Sequence, residues 1–302
     1  MEQESFDPPI GVGEEIAPGL RRIVAPNPSP MTFRGTNTYI LGTANLAIID
    51  PGPDSPDHLD AILSTIGDAK VQLIFVTHSH LDHSPLASKL ADQTHAPVLA
   101  FGDSSSGRSE IMTSLAAAGF VGGGEGVDLW FVPDREVVDG EMFFSAEWVL
   151  KVIHSPGHMG NHISLRWNDA IFTGDLVMGW ASSLVSPPDG DLSDFMDSCE
   201  RLLSEKPKSL FPGHGAPVSA AMERIEWLLE HRRGRTNDIL AALADGNKTV
   251  EQLTAEIYSD TPAALHPAAA RNLFAHLIDL SKRGEVFAQP TLRPDALFRR
   301  TI

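Results

Sequence analysis

Six consecutive residues, His78-Ser79-His80-Leu81-Asp82-His83, constrain this chain more than any other feature. They follow directly on Val71–Thr77, a run rich in β-branched and aromatic residues that reads as a buried strand. Four side chains able to coordinate a metal therefore leave the end of one core strand together. Ordinary packing accounts for one histidine in such a place. It does not account for four, because burying them together without a cation is costly. If strand geometry persists, His78 and His80 point the same way and can share one ion. Asp82 and His83 sit past the turn and can hold a second ion nearby.

Three later positions have the same setting. His158 stands in Ser155-Pro156-Gly157-His158, after the expected strand Val149–Ile153. Asp175 stands in Thr173-Gly174-Asp175, after the expected strand Ala170–Thr173. His214 stands in Pro212-Gly213-His214-Gly215, after Leu210-Phe211. Each lies beside a glycine that lets the backbone turn sharply into a site. Alone, each reads as structural; the strand-end context shared with the first cluster makes all three candidate ligands. Asp50 ends another apolar strand and could hold a ligand histidine in one tautomer. His162 is either a proton carrier behind the site or a structural histidine. The structural reading is favoured, since closeness in sequence is not geometry. His95, His154 and His231 carry no functional expectation. Trp180 and residues 182–190 either line a substrate cleft or form a surface loop.

Strands and helices alternate around these positions. Asn37–Leu41 and Leu46–Asp50 read as a hairpin across Gly42-Thr43-Ala44-Asn45. Pro56–Ile66 and Leu192–Leu203 have helical spacing, and Ser84-Pro85 fits an N-cap with proline at the first helical position. Leu99–Phe101 and Ile163–Trp167 read as strands, and 104–126 as a helix followed by a loop. The grammar then changes. Met222–Leu243 is one long helical pattern, and Thr249 with Gln252 forms a capping box opening a helix to about Tyr258. Pro267–Lys282 is a further helix, stopped by Gly284 before a short strand Glu285–Ala288. Helices with a terminal strand suit a small winged-helix module. The expectation is an α+β chain of two domains, 1–219 and 220–302, with the boundary near Pro217–Ala221. Its 302 residues agree with a prior of roughly 150 per domain.

Charge follows the same division. The net charge is −17, yet residues 220–302 hold 11 basic and 11 acidic residues, leaving 12 basic and 29 acidic in 1–219. So acidic a surface disfavours nonspecific polyanion binding. The single cysteine, Cys199, excludes an intramolecular disulfide and a Cys-rich zinc module. Met1–Pro9 is acidic, with no basic segment leading into an apolar run, and no stretch nears the roughly 18 apolar residues of a membrane helix. The expected setting is cytoplasmic, without membrane contact.

The His-x-His-x-Asp-His motif, the later Gly-His, Gly-Asp and Pro-Gly-His-Gly elements, and their order resemble the metallo-β-lactamase superfamily. The resemblance implies a four-layer αβ/βα sandwich with the site at one edge of two packed sheets. It implies that His78, His80 and His158 bind one ion, that Asp82, His83 and His214 bind a second, and that Asp175 bridges them. That set is similar to the glyoxalase II and ribonuclease branches. The classical zinc β-lactamases place a cysteine where this chain has Asp175, and Cys199 is in no matching motif, so antibiotic hydrolysis is not expected. Residues around His231-Arg232, Thr249-Val250, Ile257-Tyr258, Thr261-Pro262, Leu265-His266, Asn272-Leu273 and His276-Leu277 are similar to the winged-helix tail of the lactamase-β-like endoribonuclease and its bacterial relatives. Gly35-Thr36-Asn37-Thr38-Tyr39 fits the same group.

Oxygen and imidazole ligands without thiolate suit two divalent ions, Zn first, with Mn or Fe as alternatives. Such ions lie about 3.5–4 Å apart and share a water whose pKa falls toward about 7. The expected nucleophile is that di-metal-bound hydroxide, with Asp82 both ligating and orienting it. The first functional reading is hydrolysis of a small ester, thioester or lactone. The alternative is an endoribonuclease cleaving single-stranded RNA, with Arg232, Arg233, Arg235, Arg271, Lys282 and Arg283 on phosphates. The balancing acids in that segment favour an ion-paired surface instead. A winged-helix nucleic-acid binder is disfavoured by the intact ligand set, and single-iron oxidation by the presence of the second ion's ligands. The helical tail could also wall the cleft or form a homodimer interface.

Overall fold

The computed structural model describes residues 5–301. A seven-stranded sheet runs in chain order through β1 (Glu14–Ala17), β2 (Leu20–Val24), β3 (Asn37–Leu41), β4 (Asn45–Ile49), β5 (Lys70–Phe75), β6 (Val98–Ala100) and β7 (Arg135–Glu136). A five-stranded sheet contains β8 (Met142–Phe144), β9 (Val149–His154), β10 (Ile163–Trp167), β11 (Ala170–Gly174) and β12 (Ser209–Pro212), in reverse order across the sheet. Strand alternation decides what packs where. Tyr39, Leu41, Ala47 and Ile49 face Leu150, Val152, Ile163 and Phe172 across a core between the two sheets. Their neighbours Ile40, Leu46 and Ile48 face the opposite way, against α1 (Pro56–Ile66) and α2 (Leu86–Thr94). On the far side, Ile153, Ile171 and Leu210 pack against helices α4 (Leu192–Ser204) and α5 (Ala221–Ala242). The layers are thus helix, sheet, sheet, helix, the expected αβ/βα sandwich.

The helix ends show which sequence signals operate. Ser55 caps α1 by accepting from the His58 amide at 3.3 Å, with proline in the first turn. The expected cap at Ser84 does not form. The helix begins at Leu86 with no side-chain cap, and the Ser84 hydroxyl is bonded to the His80 carbonyl and to Asp128 Oδ2. That hydroxyl closes the histidine turn rather than a helix. Within 104–126 the helix is α3 (Glu110–Ala117), capped by Ser109.

The C-terminal part consists of the end of α5, then α6 (Val250–Ile257), α7 (His266–Lys282) and a hairpin of β13 (Val286–Gln289) with β14 (Leu297–Arg300). Thr249 and Gln252 form the capping box that opens α6. Lys248 pairs with Phe298, so a third extended segment joins the hairpin. Helix α5 spans two cores: Ile225, Leu228 and Leu229 pack on the second sheet, whereas Ile239 and Ala242 pack with Leu253, Leu273, Leu277 and Phe298. Met112 and Leu115 of α3 enter that second core, so it also clasps the sandwich. Among the described residues no helix is long and apolar enough to cross a membrane.

Candidate metal centre

The C-terminal ends of β5, β9, β11 and β12 meet at one edge of the two sheets, and each is followed by a predicted ligand. His78, His80 and His158 form one buried group, and Asp82, His83, Asp175 and His214 form another. Within each group the ligand atoms lie within 4.8 Å of one another. All seven predicted residues are therefore in one place.

Hydrogen-bond partners establish which nitrogen of each imidazole faces inward. Thr77 Oγ1 donates to Asp50 Oδ2 at 2.8 Å, so it accepts from His78 Nδ1 at 3.0 Å and leaves His78 Nε2 a bare acceptor. His158 Nδ1 donates to the Leu184 carbonyl at 2.7 Å, so its Nε2 is bare as well. Both Nε2 atoms lie 3.0 Å from His80 Nδ1. A single proton on His80 cannot satisfy both, and among the described residues buried His80 Nε2 has no partner. In the second group, His83 Nδ1 donates to Asp50 Oδ2 at 2.9 Å and His214 Nδ1 donates to the Gly35 carbonyl at 3.2 Å. Their Nε2 atoms, 3.3 Å apart, face Asp82 Oδ2 at 3.4 and 3.1 Å. Asp175 faces both groups, with Oδ2 3.7 Å from His158 Nε2 and 3.3 Å from His214 Nε2, and with Oδ1 3.5 Å from His83 Nε2. Seven buried side chains that each turn a potential ligand atom inward are what cation binding requires, so these residues fit two divalent ions.

The electrostatics of the two groups differ. Burial, followed by the neighbouring imidazoles, lowers His78 and takes His80 down to about 3, while burial lowers His158 too, so this trio is neutral. In the other group burial also works against charge, but the carboxylates outweigh it. Asp82 and Asp175 raise His83, and His214 is pushed up to about 10. Both carboxyls are correspondingly held well below the usual range by His83 and His214, against the effect of burial.

The surroundings fix these side chains closely. Asn37 Nδ2 donates to the Pro212 and Gly215 carbonyls at 2.9 Å, pinning the turn that carries His214. A Cβ at Gly213 would overlap Asp175 Oδ1 and lie 2.8 Å from His83 Cε1, so only glycine fits. His162 Nε2 accepts from the Asp175 amide at 3.2 Å while its Nδ1 meets Ser155 Oγ at 3.0 Å. It holds the backbone of Asp175 and lies behind the ligands.

The centre opens into a cavity of about 340 Å³. Its lining includes His80, Asp82, His158 and Asp175 together with Met31, Met178, Trp180 and Leu184, and Tyr258, Leu265 and Ala268 of the C-terminal part. Trp180 and residues 182–184 are thus cleft residues. His231, which carried no functional expectation, also lines this cavity. Its place in α5 brings it there. Of the six cations considered for phosphates, Arg233, Arg235 and Arg283 pair with Glu200, Asp238 and Asp279. Arg232 is buried, Arg271 donates to the Val121 carbonyl at 2.9 Å, and Lys282 donates to Ser193 Oγ at 2.9 Å.

An αβ/βα sandwich with convergent histidines and aspartates at its sheet edge defines a class of metal-dependent hydrolases. Residues 31–214 match the family described as the Metallo-beta-lactamase superfamily, and residues 249–291 match the Beta-lactamase associated winged helix domain. The chain belongs to the metallo-beta-lactamase superfamily and is a hydrolase of that family. It is 31% identical over 281 residues to a Beta-lactamase-like protein 2 homolog of Drosophila melanogaster, covering 88% of each chain. It is 28% identical over 260 residues to an Atrochrysone carboxyl ACP thioesterase of Claviceps purpurea, covering 82% of this chain and 74% of that one. A metallo-beta-lactamase family protein from Thermus thermophilus shares the fold, with 24% identity, a TM-score of 0.75 and coverage of 95% of this chain and 100% of that one.

Proposed function

We propose that this chain hydrolyses small thioesters or related esters and lactones at a binuclear metal centre. One observation carries the reading: members of both candidate ligand groups line one mostly apolar cavity of about 340 Å³ whose lining also includes residues of the C-terminal part. A volume of that order accommodates a small molecule. The thioesterase named among the relatives supports an acyl substrate. The engagement of the C-terminal cations within the chain weighs against a phosphate track.

In this reading His78, His80 and His158 hold one ion, Asp82, His83 and His214 hold the other, and Asp175 serves both. The donor set suits Zn, with Mn or Fe as alternatives. Bound there, the cations supply Lewis acidity and a nucleophilic hydroxide at neutral pH. Asp82 remains ionised and lines the cavity, so its carboxylate orients the attacking oxygen toward the acyl carbon. Met178, Leu184 and Leu265 exclude water from the acyl chain. A thiol leaves with a pKa near about 8.5 and needs little help from a general acid.

The test is turnover of aryl and short acyl thioesters by the metal-loaded chain, beside a fluorescent single-stranded RNA, with Asp82→Ala as control. Saturable thioester hydrolysis that requires Asp82 is expected. RNA cleavage that requires Asp82, without thioester turnover, would overturn the reading.

A further inference from the structure

We propose that the C-terminal helices set the metal affinity of the His158 position through a clamp on residues 178–185, with Arg232 of α5 and Asn272 of α7 as positioning residues. This rests on the reading of His158 as a ligand given above.

The clamp grips five peptide groups along residues 178–185. Arg224 Nε donates to the Met178 carbonyl at 2.7 Å and its Nη2 to the Ala181 carbonyl at 2.5 Å. Two turns further along α5, Arg232 Nη2 donates to the carbonyls of Ser182 and Ser183, both at 2.7 Å. Asn272 Oδ1 accepts from the Val185 amide at 2.9 Å and from Arg232 Nη1 at 3.1 Å. Between these anchors the backbone reverses. Ser183 takes a left-handed φ of 60°, and the next carbonyl, Leu184, accepts from His158 Nδ1 at 2.7 Å. Ser183 Oγ holds the turn by donating to the Leu176 carbonyl at 3.0 Å. A non-glycine residue keeps that conformation only where its surroundings enforce it.

The chemistry of Arg232 makes the same point. It is 2% exposed, and among the described residues no carboxylate pairs with it. Its partners are two carbonyls, one amide oxygen and the Phe195 ring 5.0 Å away. Burial lowers its pKa to about 10, so it is charged at neutral pH. A buried guanidinium without an acid is a costly way to fill space. What it does here is hold two adjacent carbonyls, which no apolar side chain can do. The consequence is mechanical. If the clamp loosens, Leu184 O moves, the Nδ1 proton of His158 loses its acceptor, and the ring no longer presents Nε2 to His78 and His80. Partners that fix a ligand imidazole in this way are typically worth about 10–100-fold in metal affinity.

The experiment titrates the metal-free full chain with Zn²⁺ in competition with a chromophoric chelator, resolving the two binding steps. Asn272→Ala and Arg232→Lys are compared with Asn272→Asp, which keeps an oxygen acceptor, and with His158→Ala and Asp82→Ala, which mark the two positions. We expect Asn272→Ala to weaken by about tenfold or more the step that His158→Ala removes, leaving the other step unchanged, and Asn272→Asp to restore it. Arg232→Lys should act in the same direction. If circular dichroism shows that variant unfolded, the two Asn272 variants decide. Wild-type affinity at both steps in Asn272→Ala, with one step lost in His158→Ala, would overturn the clamp and leave the ligand reading intact. Retention of both steps by His158→Ala would remove the ligand reading and the clamp with it.

Discussion

Asp50 Oδ2 lies 2.9 Å from His83 Nδ1, with both side chains buried. The same carboxylate accepts from the Thr77 amide at 2.7 Å through Oδ1 and from the Thr77 hydroxyl at 2.8 Å through Oδ2. Asp50 therefore ties the end of β4 to the end of β5 and leaves His83 Nε2 as the inward-facing nitrogen. An amide in its place would confront one of these three donors with a further donor. Asp50→Asn should weaken ion binding at the Asp82, His83 and His214 position by about 10–100-fold, with the His78, His80 and His158 position much less affected. Stepwise metal titration checks this, and equal affinities in wild type and variant would contradict it.

The two ligand groups should load with different proton balances. His214 is pushed up to about 10 by Asp175 and Asp82 despite burial, and His83 is raised by the same carboxylates. Both imidazoles carry a proton near neutral pH and must lose it to ligate. The neutral trio of His78, His80 and His158 has none to release. Calorimetric titration in buffers of different ionisation enthalpy should show net proton release on the step that Asp82→Ala removes. That step should also tighten as the pH is raised from neutral into the mildly alkaline range. Two steps with no proton release would contradict this assignment.

Much of this candidate centre was legible because each candidate ligand follows an apolar strand and lies in or beside a tight turn. Asp50 was also visible, as the acidic end of an apolar run. The expected cap at Ser84 failed because its hydroxyl serves the histidine turn, a tertiary demand that overrides local capping preference. Strand β1 went unseen because it is four residues long and half exposed, so it lacks apolar alternation. Strands β8 and β14 are also short, and each buries a single residue. The cavity was not legible at all. Met31, Leu184 and Leu265 meet across more than two hundred residues of chain, and spacing carries no signal for that. The same holds for Arg232, whose run of arginines reads as an exposed face until the loop it grips is in place.

The C-terminal wall should govern acyl chain length. Ala268 of α7 lines the cavity together with Met178 and Trp180. A phenylalanine at this position takes up cavity space. Ala268→Phe should lower kcat/KM for a long acyl thioester by about tenfold or more while leaving an acetyl thioester nearly unchanged. Equal losses for both substrates would place the acyl chain elsewhere.

His58 should make stability depend on pH independently of the metal centre. Its ring is buried in α1, with Nε2 2.8 Å from Thr38 Oγ1. The Thr38 hydroxyl donates to the Asp50 carbonyl at 2.7 Å, so His58 Nε2–H is the donor to Thr38. Among the described residues the buried Nδ1 has no partner, and a proton added there would find no acceptor among them. Burial accordingly takes the pKa from 6.5 down to about 4. Because the folded pKa is the lower one, the unfolded chain binds more protons between these values. The stabilising contribution is complete above about pH 6.5 and is lost as pH falls toward 4, a change on the order of 3 kcal/mol. Urea unfolding of the chelator-treated chain at about pH 7, 6 and 5 should show wild type losing stability faster than His58→Gln, whose amide can still donate to Thr38. Parallel losses in the two proteins would show that His58 is not the group responsible.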